Sequence, residues 1–242
     1  MDLKEILSFR RSVRVYDPAS PVDPAIVKHC IELATLAPNS SNMQLWEAYH
    51  ISSPDLIRQM AVACLGQSSV STASQLVVFV TRQDLHRRRA KANIAFEKGN
   101  IRRNSPEDRQ EKRINDRLLY YGKLMPFLYA RFFGVIGWIR KIGVHAVGLF
   151  RPIVYQVSEN DMRVVVHKSC ALAAQTFMVA MANERYDTCP LEGFDSKRVK
   201  KLLQLPYGAE VNMVVSCGVR KGNEGIWGER FRIPFEEVYH AL

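Results

Sequence analysis

The chain is missing most of the short signatures that betray a chemistry. Its 242 residues hold no G-x-x-x-x-G-K-[ST] loop, no G-x-G-x-x-G after a strand pattern, no H-E-x-x-H and no G-x-S-x-G. A P-loop, a dinucleotide fingerprint, a zincin centre and a nucleophile elbow therefore have no local support. The six histidines are scattered; His145, His167 and His240 have no partner at metal-ligand spacing, and no metal site is expected. Five widely spaced cysteines, Cys30, Cys64, Cys170, Cys189 and Cys217, offer no C-x-x-C pair and an odd count. That excludes a disulfide framework and fits small buried thiols in a reducing compartment. The N-terminus carries acids at once and no apolar run of signal-peptide length, so a cytoplasmic location is expected. No repeat, low-complexity tract or Gly/Ser linker divides the chain.

What is present is an ordinary globular composition, 47% apolar and 24% charged, enough for a sizeable core. Net charge is +10, which would suggest a polyanionic partner if it covered one face. It is concentrated instead: residues 82–151 hold 17 Lys and Arg against 6 Asp and Glu, leaving 17 against 18 elsewhere. The basic character belongs to this segment.

Residues 2–9 read as a short helix and "SVRVYDP" as an extended link. Asp23-Pro24 and Ser53-Pro54 each pair an N-cap with a first-turn proline and open helices, the first stopped by Pro38. "LWEAYHIS" alternates as a strand. "SQLVVFVT" is apolar on both faces and too short for a helix, so it reads as a central strand. Ser105-Pro106-Glu107-Asp108 starts a helix expected to reach about Pro126. A long helix spans roughly 160–184, Asp195 caps another, and "EVNMVVSCGV" is the last core strand. The tail "IWGERFRIPFEEVYHAL" has no period and reads as an arm. The expected fold is one α+β domain over 1–242 with a helical insertion over about 82–158.

Four pieces suggest an anion site. "RRSVR" sets Arg10, Arg11 and Arg14 around Ser12, and guanidinium forks match phosphate oxygens bidentately. "APNSSNMQLW" offers Asn39, Ser40, Ser41, Asn42 and Gln44, residues equally suited to local turn bonds. "TCPLEGFD" contains Glu192-Gly193, where backbone can approach a flat ligand. Arg230 and Arg232 alternate in the tail, so their side chains share a side. Each alone is also compatible with a plain surface role.

Together and in this order, these pieces resemble the nitroreductase family of FMN-dependent oxidoreductases. The family pattern is Arg-[Arg/His]-Ser-x-[Arg/Lys], then Ala-Pro-Ser-x-x-Asn-x-Gln-Pro-Trp, then Cys-Pro-[Ile/Leu/Met]-x-Gly-[Phe/Tyr] after a long helix, then a basic pair. The match covers about residues 1–80 and 160–235. It implies a central, mainly antiparallel sheet flanked by helices and an intertwined homodimer. It also implies that Arg10, Arg11, Ser12 and Arg14 take FMN, with Arg10 and Ser12 at the phosphate and Arg14 towards the pyrimidine end of the ring. Arg230 and Arg232 are expected to close over the phosphate. Pro38, Asn39, Ser40 and Asn42 are expected to reach a flavin held mainly by the partner subunit, and Gln67 to contact flavin. Leu191, Glu192 and Gly193 are expected over the ring, with the Gly193 N–H near N5. The implied reaction passes a hydride from NAD(P)H through the flavin to a nitroaromatic, quinone or enone acceptor by a ping-pong mechanism, with no side chain assigned as catalytic acid. A reductive dehalogenase-like or other flavin enzyme of the same fold, and a non-catalytic flavin-binding or anionic-surface-binding protein, are the alternatives.

Leu45 in place of proline, Asn39 and Ser169 depart from the pattern, as does "ERYDTC" ahead of the third motif; none removes a phosphate contact. The insertion has no stretch of 18 uncharged apolar residues, which argues against a membrane span. Three readings stand for it: a dimer-buried lid over the flavin, a basic amphipathic surface touching anionic membrane, or a site for a polyanion, with nucleic acid disfavoured.

Overall fold

The computed structural model describes residues 2–242. Asp2 accepts from the Glu5 amide while the Glu5 carboxylate accepts from the Asp2 amide, a reciprocal cap that starts α1 (Leu3–Phe9). Asp23 caps α2 (Pro24–Ala34), and proline at its first position forfeits an N–H that has no helical acceptor anyway. After β1 (Trp46–Ile51), Ser53 opens α3 (Pro54–Ala63) in the same way. A single turn, α4 (Ser68–Ser71), leads into β2 (Gln75–Thr81), in which every residue is buried.

Four helices fill the segment between β2 and the long helix: α5 (His86–Asn104), α6 (Glu107–Leu119), α7 (Met125–Tyr129) and α8 (Val135–Gly148). The helix expected to end near Pro126 instead runs on through a π turn, Tyr120–Leu124, into α7. Proline has no N–H and crowds the preceding turn, and the wider π turn just ahead of it accommodates both. Ser105 does not cap α6. Its hydroxyl accepts from Arg113 Nη1 at 2.6 Å, and Pro106 stands at the cap position without a side-chain bond.

The chain then returns through α9 (Glu159–Asn183), β3 (Asp187–Leu191), α10 (Ser196–Leu202) and β4 (Glu210–Gly218). The four strands form one antiparallel sheet in the order β1-β2-β4-β3. Successive side chains of β2 face opposite sides. Val77 and Phe79 pack with Phe177 and Met181 of α9, while Leu76, Val78 and Val80 pack with Met60 of α3 and Val199 of α10. Each such burial contributes roughly 1.5–3 kcal/mol, so the doubly covered strand anchors the fold. β3 escapes sequence patterning because Pro190 interrupts it; an edge strand tolerates a residue without a donor. All five cysteines are buried free thiols, and burial pushes Cys30 and Cys170 up to about 12 and Cys64 up to about 11.

Candidate functional site: an arginine-lined cleft

The segment "RRSVRVY" lies extended between the free edge of β3 and the C-terminal tail. Val13 N donates to Thr188 O at 3.2 Å on one side, and Arg14 N to Gly225 O at 2.8 Å on the other. Lys221 N and Asp17 N continue the second set, bonding Val15 O and Val219 O. Val13 and Tyr16 turn inward and are buried, while Ser12 and Arg14 are exposed. Gly225 is required by this arrangement: a Cβ there would stand 2.5 Å from Val15 O.

Outside this seam opens a cavity of about 710 Å³ lined by Arg10, Arg11, Ser12 and Arg14, by Ser68, and by Trp227, Arg230 and Arg232 of the tail. The two arginine motifs, more than two hundred residues apart in sequence, meet here. Arg10 is half-buried, and desolvation lowers its pKa, with the nearby Arg232 charge lowering it further. Two carboxylates, Glu224 and Glu229, also line the cleft; Glu224 is paired with Lys221 at 3.1 Å. Among the described residues neither pairs with any of the five arginines, and the half-buried ion pairs lie elsewhere, at Arg82–Glu47, Arg163–Glu210 and Arg220–Asp187. Like charges a few ångströms apart repel by roughly 1 kcal/mol in water and ~4 kcal/mol in a partly buried site, and a bound anion reverses that term.

The five guanidinium groups are not equivalent. Arg230 donates from Nη1 to Leu7 O at 2.9 Å, and from Nη2 to Ser8 O at 3.2 Å and to Arg10 O, so its fork clasps the C-terminal end of α1. Burial lowers its pKa, followed by the charges of Arg232, Arg11 and Arg10. Arg11 Nη2 donates to Gly228 O at 3.0 Å, a second tie to the tail. Among the described residues Arg232 makes one side-chain hydrogen bond, to its neighbour's carbonyl, Phe231 O, at 2.7 Å. The side chains of Arg10 and Arg14 make no hydrogen bond among the described residues.

Gln67 and Gly193 are brought together beside this cleft. Gln67 Nε2 donates to Gly193 O at 2.8 Å and to Cys64 O at 3.1 Å, and its neighbour Ser68 lines the cavity. The Gly193 N–H has no partner among the described residues, and a Cβ on Gly193 would meet only Gln67 Nε2, at 3.6 Å. The backbone at Gly193 is thus accessible. Glu192 is exposed, but the Leu191 side chain is buried in the core against α3 and α10, so only its backbone faces outward. Cys189, also on β3, feels Arg14 and Arg10; burial raises its pKa and these charges oppose the rise.

Pro38, Asn39, Ser40 and Asn42 do not join this cleft. They precede β1, at the opposite edge of the sheet from the seam on β3. Asn39 Oδ1 accepts from Gln44 N at 2.9 Å, Ser40 N donates to Ser169 Oγ at 3.2 Å, and Asn42 exchanges bonds with Asn93 of α5. Ser41 and Asn42 adopt positive φ of 53° and 49°, and Tyr120 and Tyr121 bond the Ser41 hydroxyl and carbonyl. The loop is therefore rigidly built by α5 and the π turn. Ser68, Trp227, Arg89 and Asn93 escape sequence reading because nothing local marks them; Arg89 and Asn93 share a small cavity with Asn42.

The sequence model of the Nitroreductase family matches residues 7–219. Protein DrgA of Synechocystis is 26% identical over 222 residues, covering 91% of this chain and 85% of its own. A Bacillus subtilis protein provisionally named NAD(P)H nitroreductase YdgI is 23% identical, with 98% and 96% covered. The Bacillus subtilis YdfN structure superposes with a TM-score of 0.74 at 20% identity, over 100% of this chain and 99% of its own. A structure from Exiguobacterium sibiricum solved in complex with FMN gives a TM-score of 0.64 at 21% identity, covering 100% and 98%.

Proposed function

The chain belongs to the nitroreductase family, and from that premise we propose that it is an FMN-dependent oxidoreductase carrying a hydride from NAD(P)H to a small nitroaromatic, quinone or enone acceptor. The observation that supports it most is the half-buried Arg10, without a carboxylate, converging with Arg232 and Arg14 on an open cleft. A half-buried cation with no carboxylate paired to it fits a site for a phosphate dianion. The cavity also falls within the size range of cofactor sites, and the accessible Gly193 backbone offers a close approach for a flat ring. The name of YdgI and the FMN-bound neighbour are consistent with this cofactor and reductant.

FMN, when bound, would supply the redox chemistry, that of a hydride carrier between a reduced nicotinamide and the acceptor. The chain's own residues bind, orient and polarise. Arg10 and the Ser12 hydroxyl hold the phosphate, with Arg232 closing from the tail. Arg230 and Arg11 act mainly as clasps, because their donors already hold backbone carbonyls of α1 and the tail. Arg14, without a partner among the described residues, would supply a cation to stabilise negative charge at the pyrimidine end of the ring. Gln67 holds the Gly193 carbonyl, and the Gly193 N–H, without a partner among the described residues, would be available to the ring.

One chain leaves this site half-walled. Asn39, Ser40 and Asn42 sit at the far edge of the sheet, so in this reading they complete the cleft of a second copy in an intertwined homodimer. Exposed Trp227 and Phe231 on the tail and Leu172 on α9 are apolar surfaces that a partner would cover. Light scattering on the purified protein checks the dimer. The activity is checked by anaerobic addition of NADH or NADPH: flavin absorbance is expected to bleach and to return on addition of a quinone. Bound flavin that neither nucleotide bleaches would overturn the hydride-transfer reading.

A further inference from the structure

Helix α8 turns its apolar side away from the protein. Val135, Trp138, Ile139 and Ile142 recur at one-turn spacing, and Leu149, just past the last helical residue, follows two turns later, so they share one stripe. Trp138 is 67% exposed, Ile142 50% and Leu149 81%, and Phe133 and Phe150 at the two ends are 95% and 89% exposed. The opposite side is the packed one. A Cβ on Gly137 would stand 2.7 Å from Glu159 N, and Arg140, only 4% exposed, gives its guanidinium to the carbonyls of Leu128 and Ala130. A helix with its arginine inside and its tryptophan outside reverses the usual pattern of a surface helix.

The charge carried by the segment around this stripe is of one sign, and acids return only with Glu159 and Asp161 at the start of α9. Residues 117–158 contain six Lys and Arg and no Asp or Glu. Arg140 is internal and Arg131 is tied to Glu210 at 2.9 Å, whereas Lys141 and Arg151 are exposed and unpaired among the described residues. The nearest carboxylates are already engaged, Glu159 by the amides of Phe132 and Gly134 and Asp161 by Ser158, so a second copy of the same face would set Lys141 and Arg151 against their own like charges. An anionic bilayer instead offers an apolar interior for the stripe and phosphates for its cations.

We infer that α8, with Phe133 and Phe150, docks on an anionic lipid surface, its stripe lying in the interface and Lys141 and Arg151 at headgroup level. The inference does not depend on the flavin reading. It is tested by sedimenting the full-length protein with phosphatidylcholine vesicles, plain or carrying about 30% phosphatidylglycerol. The anionic vesicles are expected to bind at low salt, at least about tenfold more tightly than the plain ones. Trp138→Glu with Ile142→Glu should lower binding by about tenfold or more without changing melting temperature. Lys141→Ala with Arg151→Ala should abolish the anionic preference. No binding at low salt, or wild-type binding by the Glu variant, overturns the inference. So does light scattering in which that variant drops from a larger assembly to a monomer, because the stripe would then be a contact between copies.

Discussion

In the cleft, Arg10, Arg11, Arg14, Arg230 and Arg232 arrive from opposite ends of the chain, and the apolar residues beside them, Val13 and Tyr16, point into the core. In the α5–α8 segment the cations are also numerous, but Trp138, Ile142 and Phe133 point outward while Arg140 is buried against backbone carbonyls. Both regions read as "basic" in composition. One gathers arginines that no carboxylate among the described residues pairs with, as the proposed phosphate site requires; the other spreads charge around an apolar face, as the proposed lipid-facing surface requires. Charge count alone cannot separate a pocket from a platform, because the distinction lies in which way the neighbouring apolar side chains face.

The largest effect that would sharpen this contrast is in the cleft. Arg10→Ala with Arg232→Ala removes two charge-assisted partners, each of roughly 1.5–3 kcal/mol. FMN affinity, measured by fluorescence titration, should fall by roughly 10²–10⁴-fold while the melting transition persists. Full flavin retention would break the phosphate assignment. In the other region, Lys141→Ala with Arg151→Ala should leave FMN affinity unchanged.

Next come two packing changes. Arg140→Met leaves the carbonyls of Leu128 and Ala130 without their donor and should cost about 1–3 kcal/mol. Gly225→Ala forces a Cβ against Val15 O, costing a similar ~1–3 kcal/mol. Each kcal/mol lowers the melting temperature by about 2–4 °C in a chain of this size, readable by calorimetry. Only Gly225→Ala should also weaken FMN, since it loosens the seam that carries Arg14.

A smaller, pH-dependent effect joins the two halves. Glu210 of β4 accepts from His167 and from Arg131 and Arg163, which hold its carboxyl well below the usual carboxylate range. Because the folded pKa is depressed, this stabilisation is complete above the unfolded value of about 4.3 and drains away as pH falls below it. Between about pH 7 and about pH 3, the urea midpoint of the wild type should drop more than that of Glu210→Gln. The smallest effect is Trp138→Glu, expected to shift stability by less than about 0.5 kcal/mol because the side chain is solvent-exposed.

Much of this was legible beforehand where the signal is local. Caps at Asp23, Ser53 and Asp195 open the helices they were expected to open, and the buried run at Gln75–Thr81 is the interior strand. The failures share a cause. α5 has almost no apolar stripe and buries chiefly Ala90, Asn93 and Ile101, so periodicity could not find it. β3 hid behind Pro190, which only an edge position permits. In the site, the arginine motifs were visible as text. That Arg230 clasps α1, that Leu191 faces the core and that Ser68 enters the cleft depends on where distant backbone passes.

The sequence by itself determined the local rules: which residues start and stop helices, which strand is buried on both faces, and where cations accumulate, since each follows from side-chain chemistry over a few neighbouring positions. Only the tertiary structure decided which arginines remain free, because hydrogen-bond partners for Arg11 and Arg230 come from backbone far away in the chain. It also decided that α8 shows its apolar stripe to the outside. A helix's own periodicity says that it has two faces, and packing alone says which one the protein keeps.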